Sequence, residues 1–512
     1  MSKYYLTTTL PYVNAKPHIG HALEFIQADV LARYHMLLGD EVIFNTGTDE
    51  HGVKIYRKAI EEGKDPQAYC DEYAAKFDAL KSAFNLSYNK FIRTTDAHHI
   101  TGAQEFWKRC EQNGDIYKKQ YQVKYCVGCE LEKTDSELVD GKCPVHPNLE
   151  LDLIDEENYF FRFSKFQQPL LDFYDSHPDF VVPANRLLEI RNFVSSGLQD
   201  FSISRLKSKM PWGIAVPGDE SQVMYVWFDA LANYITTLGW PEDVQTFNDF
   251  WPGYQMAGKD NLRQQSAMWQ AMLLSAKLPP SKQIFIHGFI TSGGQKMSKS
   301  LGNVIDPMDL VAKYGTDAVR YYLLGAVPSY DDGDVTDEKI AEFFNAQLAN
   351  GIGNLNSRIM TMVEKFQIKN EITGREPAIA NIKNSNNSYI AKSVAIFWNK
   401  YLVAIDRYQF DNICDEIRIL TAILDGVISE QKPWEKDKKG EDISGLLYEM
   451  AEALRHIGVA LLPIMPATAE KILAQFGITV DWKNFDWQSA IKWGGLGSGN
   501  KITKCSALFP RL

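Results

Sequence analysis

Lys3-Tyr4-Tyr5-Leu6-Thr7-Thr8-Thr9-Leu10, Pro11-Tyr12-Val13-Asn14-Ala15-Lys16-Pro17 and His18-Ile19-Gly20-His21 follow one another at the start of the chain, and this stretch decides the fold. Residues 3–10 are apolar and β-prone, which reads as a buried strand. The run bracketed by prolines is a turn. Ile19, Leu23, Ile26, Val30, Tyr34 and Leu37 then recur at three- and four-residue steps until Gly39, a helix C-terminal cap. His18 and His21 therefore sit on one face of a first helical turn. Unpaired N–H groups and a partial positive charge make that turn hospitable to phosphate. Two imidazoles there can donate hydrogen bonds to phosphoryl oxygens as charge builds in a transition state. Gly20 has no side chain, so a nucleotide can lie against the backbone.

A second string, Lys296-Met297-Ser298-Lys299-Ser300, follows another buried-strand pattern at residues 284–290 and a flexible lead-in, Thr291-Ser292-Gly293-Gly294-Gln295. Lys296 and Lys299 on a loop that closes over a triphosphate would stabilise a departing pyrophosphate. Either string alone is weak, since short motifs recur by chance. Together they point to attack on the α-phosphate of ATP.

Between the strings lies a metal signal. Cys126-x2-Cys129, thirteen intervening residues, then Cys143-x2-His146 gives four soft ligands in two knuckles. Three thiolates and one imidazole would close a tetrahedral zinc site with no open position, so the role is structural. Cys70, Cys110, Cys414 and Cys505 have no such spacing and read as buried small apolar residues.

The chain has 512 residues, 45% of them hydrophobic and 12% aromatic, enough for two to four well-packed domains. No secretory signal is visible. The most apolar late segment, residues 459–467, is broken by Pro463 and Pro466 and is too short to span a bilayer. Seven cysteines, an odd and low number, do not suggest a disulfide framework, and a reducing cytoplasm is the natural compartment. A net charge of −11 argues against broad nucleic-acid binding, so an RNA ligand needs local basic patches. Candidates are Lys108, Arg109, Lys118, Lys119 and Lys124, and later Lys432, Lys436, Lys438 and Lys439.

Strand and helix patterns alternate through the first third, give way near Tyr117 to cysteine-, glycine- and charge-rich sequence, and resume near Met224. The expected fold is α/β: a doubly wound parallel sheet of Rossmann type, interrupted by a zinc-binding insertion and followed by an α-helical bundle. The expected divisions are a catalytic first half at 1–115, the insertion at 116–223, a catalytic second half at 224–328, a linker at 329–345 and a helical domain at 346–512. The two strings lie in opposite halves and must meet at the carboxyl ends of the strands.

The pair of strings resembles class I aminoacyl-tRNA synthetases, and the residues around them narrow the resemblance to the methionyl-tRNA synthetase family over nearly the whole chain. The further matches are Thr9-Leu10-Pro11-Tyr12, Gly47-Thr48-Asp49-Glu50-His51-Gly52, the cysteine cluster and Tyr225-Val226-Trp227-Phe228-Asp229-Ala230. Gly258-Lys259-Asp260, Asn354-Leu355-Asn356-Ser357-Arg358 and Lys432-Pro433-Trp434 complete the set. The resemblance implies catalytic roles for His18, His21, Lys296 and Lys299, and ATP contacts from Gly20, Gly258, Asp260, His287, Gly288 and Met297. It implies an amino-acid slot of Leu10, Tyr12, Trp227, Ala230, Leu231 and Tyr234, with Asp49 holding the α-ammonium. Asn354, Arg358 and Trp434 would read the anticodon of tRNA(Met), the initiator included. ATP, L-methionine and Mg2+ are implied, with one structural Zn2+. The chain stops where longer relatives continue into a dimerising domain, which suggests a monomer.

One departure stands out. Where the family carries an aromatic-histidine pair after the Gly-Lys-Asp tripeptide, this chain reads Gln264-Gln265. Asn261 replaces an apolar residue and Gln270 a proline. The rim of the slot becomes more polar. Leucyl, isoleucyl and valyl synthetases carry a larger editing insertion than 116–223 can hold. A small nucleotidylyltransferase would not explain the cysteines or the helical tail. A catalytically silent tRNA-binding protein would not need both histidines and both lysines.

Overall fold

The computed structural model describes residues 2–129, 131–133, 137–297, 303–373, 388–497 and 502–511. Its centre is a six-stranded sheet with every pair parallel: β1 (Lys3–Thr7), β2 (Glu41–Thr48), β3 (Lys90–Arg93), β4 (Val181–Val182), β5 (Tyr254–Gly258) and β6 (Gln283–His287), in the order β3-β2-β1-β5-β6-β4. The chain winds outward from β1 in one direction, then returns to β1's other side. Such a reversal leaves a crevice at the strands' carboxyl ends, where ligands bind in open α/β sheets. Thr8, Asp49, Gly258 and His287 all fall at that edge.

Helix α1 (Ile19–Leu37) follows the turn after β1, as its periodicity predicts. It is not a one-faced helix, however. Glu24, Gln27, Asp29 and Arg33 are buried as well as the apolar positions, because α1 packs both on the sheet and on the helix Thr316–Gly325, with Trp482 and Trp487 against its last turns. β1 ends at Thr7 rather than running to Leu10. Thr9 turns aside, and its N–H and hydroxyl both donate to Glu24 Oε1, at 2.7 and 2.6 Å.

Two expectations change. The stretch 116–223 is not wholly an insertion: residues 181–182 form the edge strand of the catalytic sheet, paired with Ile284 and Phe285. The insertion's own sheet is antiparallel, ordered Leu131–Lys133, Ile116–Cys126, Asp152–Phe161, Phe201–Ser202. The lead-in to the second string is not a loop either. Ile290–Ser292 and Gln295–Lys296 form a hairpin turned by Gly293-Gly294, and the hairpin is anchored sideways on Gly333–Asp334.

The tail is a bundle: α2 (Gly353–Thr373), α3 (Tyr389–Asp406), α4 (Phe410–Gln431) and α5 (Ser444–Leu461). A π-helical stretch, Phe344–Ile352, leads into α2 and kinks at Gly351. No described helix is long and apolar enough to cross a membrane. Cys70, Cys110 and Cys414 are buried as expected, whereas Cys505 is half-buried.

Arg320 joins the tail to the helices packed on the sheet. Fully buried, it donates to the carbonyls of Phe84, Pro463 and Ile464 and pairs with Asp29 of α1 at 2.8 Å. Asp29 also pairs with Arg33 at 2.8 Å. Removing one member of a buried, hydrogen-bonded pair strands the other's charge and costs about 3–5 kcal/mol. Arg320→Met should therefore lower the midpoint of urea unfolding sharply. An unchanged midpoint would show that the tail and the helices on the sheet hold together without this contact.

Candidate active site and metal centre

His18 and His21 cap α1 reciprocally. His18 Nδ1 accepts from the Gly20 N–H at 3.1 Å, and His21 Nδ1 accepts from the His18 N–H at 3.1 Å. The rings stack with centroids 3.8 Å apart. Two of the helix's orphan donors are thereby satisfied. An Nδ1 that accepts carries no proton, so each neutral ring holds its proton on Nε2. Burial lowers the His18 pKa to about 4. Burial, and then the neighbouring His18, lowers that of His21 well below its usual value. At neutral pH the pair is therefore two neutral Nε2–H donors at a helix N-terminus, not two cations. Gly20 has a reason besides nucleotide approach: a Cβ there would meet the His18 ring at 3.0 Å.

Behind this pair, Glu24 reaches from α1 to His287 at the end of β6. His287 Nε2 lies 3.0 Å from Glu24 Oε2, and Nδ1 lies 2.7 Å from the Gly288 carbonyl. Burial pushes the His287 pKa down, but Glu24 and the carbonyl more than offset it, so the pKa is raised. Acceptors at both nitrogens favour the protonated ring. Gly258 pairs with His287 across the sheet, and Asp260 lies exposed just beyond.

On the other side of β1, Tyr12 forms a parallel bridge with Asp49. The Tyr12 ring meets Trp227 edge-on at 6.2 Å. Asp49, Ala230, Leu231 and Tyr234 are buried, and Leu10, Tyr12 and Trp227 half-buried. Trp227 and Ala230 come from the short helix Val226–Ala230, and Tyr234 from the next, Asn233–Thr236. Gln265 Nε2 donates to the Tyr234 hydroxyl at 2.6 Å, and Gln255 Nε2 contacts Gln265 Oε1 at 3.3 Å. Gln270 bonds to the Gln265 carbonyl and to Ser281. The amides thus form a buried ladder behind Tyr234.

Lys296 pairs in the hairpin with Thr291, and Met297 packs partly buried on the core beneath. Lys299 lies outside the described residues.

Cys126, Cys129, Cys143 and His146 bring their ligand atoms within 4.8 Å of one another. Cys129 Sγ is 3.4 Å from Cys143 Sγ and 3.2 Å from His146 Nδ1. Ligands about 2.0–2.3 Å from a tetrahedral zinc ion stand roughly 3.3–3.8 Å apart. The donor set fits zinc, with all four positions supplied by protein. A Cβ at Gly128 would fall 2.5 Å from the His146 ring, so only glycine lets the knuckles close.

Residues 4–150 and 146–360 match the family model described as tRNA synthetases class I (M). Methionine–tRNA ligase of Thermosynechococcus vestitus is 42% identical over 522 aligned positions, covering 99% of this chain and 97% of the relative. The chain belongs to the methionyl class I aminoacyl-tRNA synthetases. The Arabidopsis thaliana chloroplastic/mitochondrial methionine–tRNA ligase is 39% identical over 99% of this chain and 83% of its own length. Mycobacterium tuberculosis methionyl-tRNA synthetase in complex with methionyl-adenylate superposes with a TM-score of 0.92 at 36% identity, covering both chains fully.

In the bundle, Asn354 is exposed on α2, and Arg358, one turn on, pairs with Asp425 of α4 at 2.6 Å. Helix α4 ends at Gln431, Lys432 takes a left-handed conformation, and Trp434 follows in a short helix, 43% exposed. A large indole left this open is not a core residue. In the basic patches, Arg109 is held by Glu105 and Lys118 by Asp219.

Sequence reasoning missed the clamps that hold these motifs. Asp229, fully buried, binds His51 Nδ1 at 2.7 Å and His99 Nε2 at 3.0 Å. Burial raises its pKa, yet the two histidines outweigh that and leave it lowered. Glu50 takes a two-pronged grip from Arg93, at 2.6 and 2.9 Å, and fixes the turn that carries Asp49. Acidic residues set inside apolar runs, Glu24 above all, were the available signal.

The histidine pair makes stability depend on pH. An unfolded histidine titrates near 6.5, whereas folded His18 titrates near 4. Between those values the unfolded chain binds protons the folded chain refuses, so stability falls as pH drops from about 6.5 towards 4. Urea midpoints measured from pH 7.5 to 4.5 should fall across this window, and His18→Asn, which keeps a cap, should fall less steeply. Parallel curves for the two proteins would contradict the assigned neutral state.

Proposed function

We infer that this chain is a methionine–tRNA ligase whose active site is built from the residues above. Two steps make up the reaction. A carboxylate oxygen of methionine attacks the α-phosphorus of ATP, and the bond to the pyrophosphate oxygen breaks, giving methionyl-adenylate. The 2′-hydroxyl of the terminal adenosine of tRNA(Met) then attacks the carbonyl carbon and AMP leaves. The substrate carboxylate is the first nucleophile, so no covalent enzyme intermediate is needed. Positioning and charge stabilisation carry the rate.

The observation that carries this reading is the reciprocal histidine cap at the sheet's switch point, in a chain that belongs to this family. Two fixed Nε2–H donors at a helix N-terminus suit the α-phosphate as negative charge concentrates on its oxygens. Asp49 is assigned the substrate ammonium, with Tyr12, Trp227, Ala230, Leu231, Tyr234 and Leu10 around the thioether chain. Gly258, Asp260 and Gly288 are assigned the nucleoside, while His287 acts through Glu24. Lys296 and Lys299 are assigned the departing pyrophosphate. Mg2+ accompanying ATP would neutralise phosphate charge. Zn2+ held by Cys126, Cys129, Cys143 and His146 would brace the insertion.

Pyrophosphate exchange with each of the twenty amino acids tests the reading. Exchange is expected with methionine alone, and Lys299→Ala should lower its rate by about two orders of magnitude with little change in methionine affinity, as for a contact made only in the transition state. Exchange driven by another amino acid, or an unimpaired Lys299→Ala, would overturn it.

Asn354, Arg358 and Trp434 are assigned the CAU anticodon. Base–aromatic stacking is worth about 1–3 kcal/mol. Trp434→Ala should then weaken aminoacylation by roughly one to two orders of magnitude through tRNA, with methionine-dependent exchange unchanged. Equal loss in both assays would make Trp434 a structural residue.

A further inference from the structure

Lys54 stands between the metal knuckle and the amino-acid slot. It lies at the start of the helix Val53–Glu61, right after the turn that carries Asp49 and the Arg93-held Glu50. Its ammonium donates to the Gly128 carbonyl at 2.8 Å and lies 5.4 Å from the centre of the Tyr12 ring. Gly128 is inside the Cys126–Cys129 turn, packed so closely on His146 that a single added carbon would collide. The position of its carbonyl is therefore set by how the ligand residues close. Tyr12 is bridged to Asp49 through the backbone. A second link runs beside the first. Tyr125, Tyr225 and Val226 form a small apolar cluster on which Val127 packs from the knuckle side and Tyr12 and Trp227 from the slot side. The Arg205 guanidinium bridges Tyr125 and Tyr225, 5.1 and 4.8 Å from their ring centres.

We propose that Lys54 is a positioning residue through which the metal knuckle holds Tyr12, and with it the methionine slot, in its binding shape. The proposal rests on reading Tyr12 and Asp49 as part of that slot. A half-buried ammonium with one carbonyl and one aromatic face as partners has a narrow range of positions. If the knuckle opens, the carbonyl moves and the ammonium follows. Tyr12 then loses the charge that fixes its ring. Coupling of this kind needs a contiguous chain of contacts, and these residues supply one.

The test uses the full, zinc-loaded chain with methionine as the probe. Lys54→Met keeps the aliphatic stem and removes the charge. It should retain about one zinc per chain by metal analysis and weaken methionine binding, measured by equilibrium dialysis, by about tenfold or more, the scale of one hydrogen bond to a charged group. In pyrophosphate exchange the KM for methionine should rise with kcat nearly constant. Lys54→Arg should recover part of the affinity. Cys129→Ser should also weaken methionine binding, and in the double variant the two losses should not add, as for two steps of one chain. Unchanged methionine affinity in Lys54→Met, or fully additive losses, would overturn the proposal. So would loss of zinc in Lys54→Met, because Lys54 would then serve only the knuckle's own fold. A parent protein that bound no methionine would instead refute the slot reading beneath it.

Discussion

Two imidazoles closing the first turn of α1 set the frame for the site. Each uses Nδ1 to satisfy a backbone N–H at the helix start, so each keeps its proton on Nε2. The same bonds that begin the helix thus fix the tautomer and the aim of the donors. Burial keeps both rings neutral, which leaves donors that need no deprotonation and no reorganisation when phosphate charge grows. The helix must itself be immobile for this to work. It packs on the sheet, and Asp29, paired with Arg33 of the same helix and with Arg320, links it through Arg320 to the carbonyls of Phe84, Pro463 and Ile464.

Buried carboxylates repeat this logic around the strand ends. Glu24 joins α1 to the end of β6 through His287, Asp229 after the insertion holds His51 of the turn after β2 and His99 of the helix Ala97–Gln112, and Glu50 is locked by Arg93. Each links segments more than forty residues apart. Buried ion pairs add little net stability, because desolvation opposes attraction. Their contribution here is geometry: each holds a strand-end turn in one position, and the residues proposed for the slot and the nucleoside lie on or beside those turns.

Much of this was legible in the sequence. The strand-turn-helix opening, the parallel sheet, the four metal ligands and the helical tail follow from periodicity and spacing, which act locally and survive without knowing the partners. The edge strand at Val181–Val182 was hidden because two residues carry no periodicity, and its place comes only from pairing with β6. The hairpin that carries Lys296 reads as a loop in the sequence because glycine pairs mark turns of both kinds. Burial of Glu24, Asp29 and Arg33 was invisible because their partners, His287, Arg320, Ser87 and Asn85, lie far away in sequence. Gln264, Gln265 and Gln270 showed as departures from the family, but the links of Gln265 to Gln255, Gln270 and the Tyr234 hydroxyl required the fold.

Imidazole nitrogen shifts tell the most about the central claim, that His18 and His21 act as neutral Nε2–H donors. In 15N-labelled protein at pH 7, with assignments from single-histidine variants, both residues should show an unprotonated Nδ1 and a protonated Nε2, with and without methionine and a non-hydrolysable ATP analogue. Nε2 alone should shift when the nucleotide binds. Two protonated nitrogens on either ring at pH 7, or a proton on Nδ1, would contradict the account.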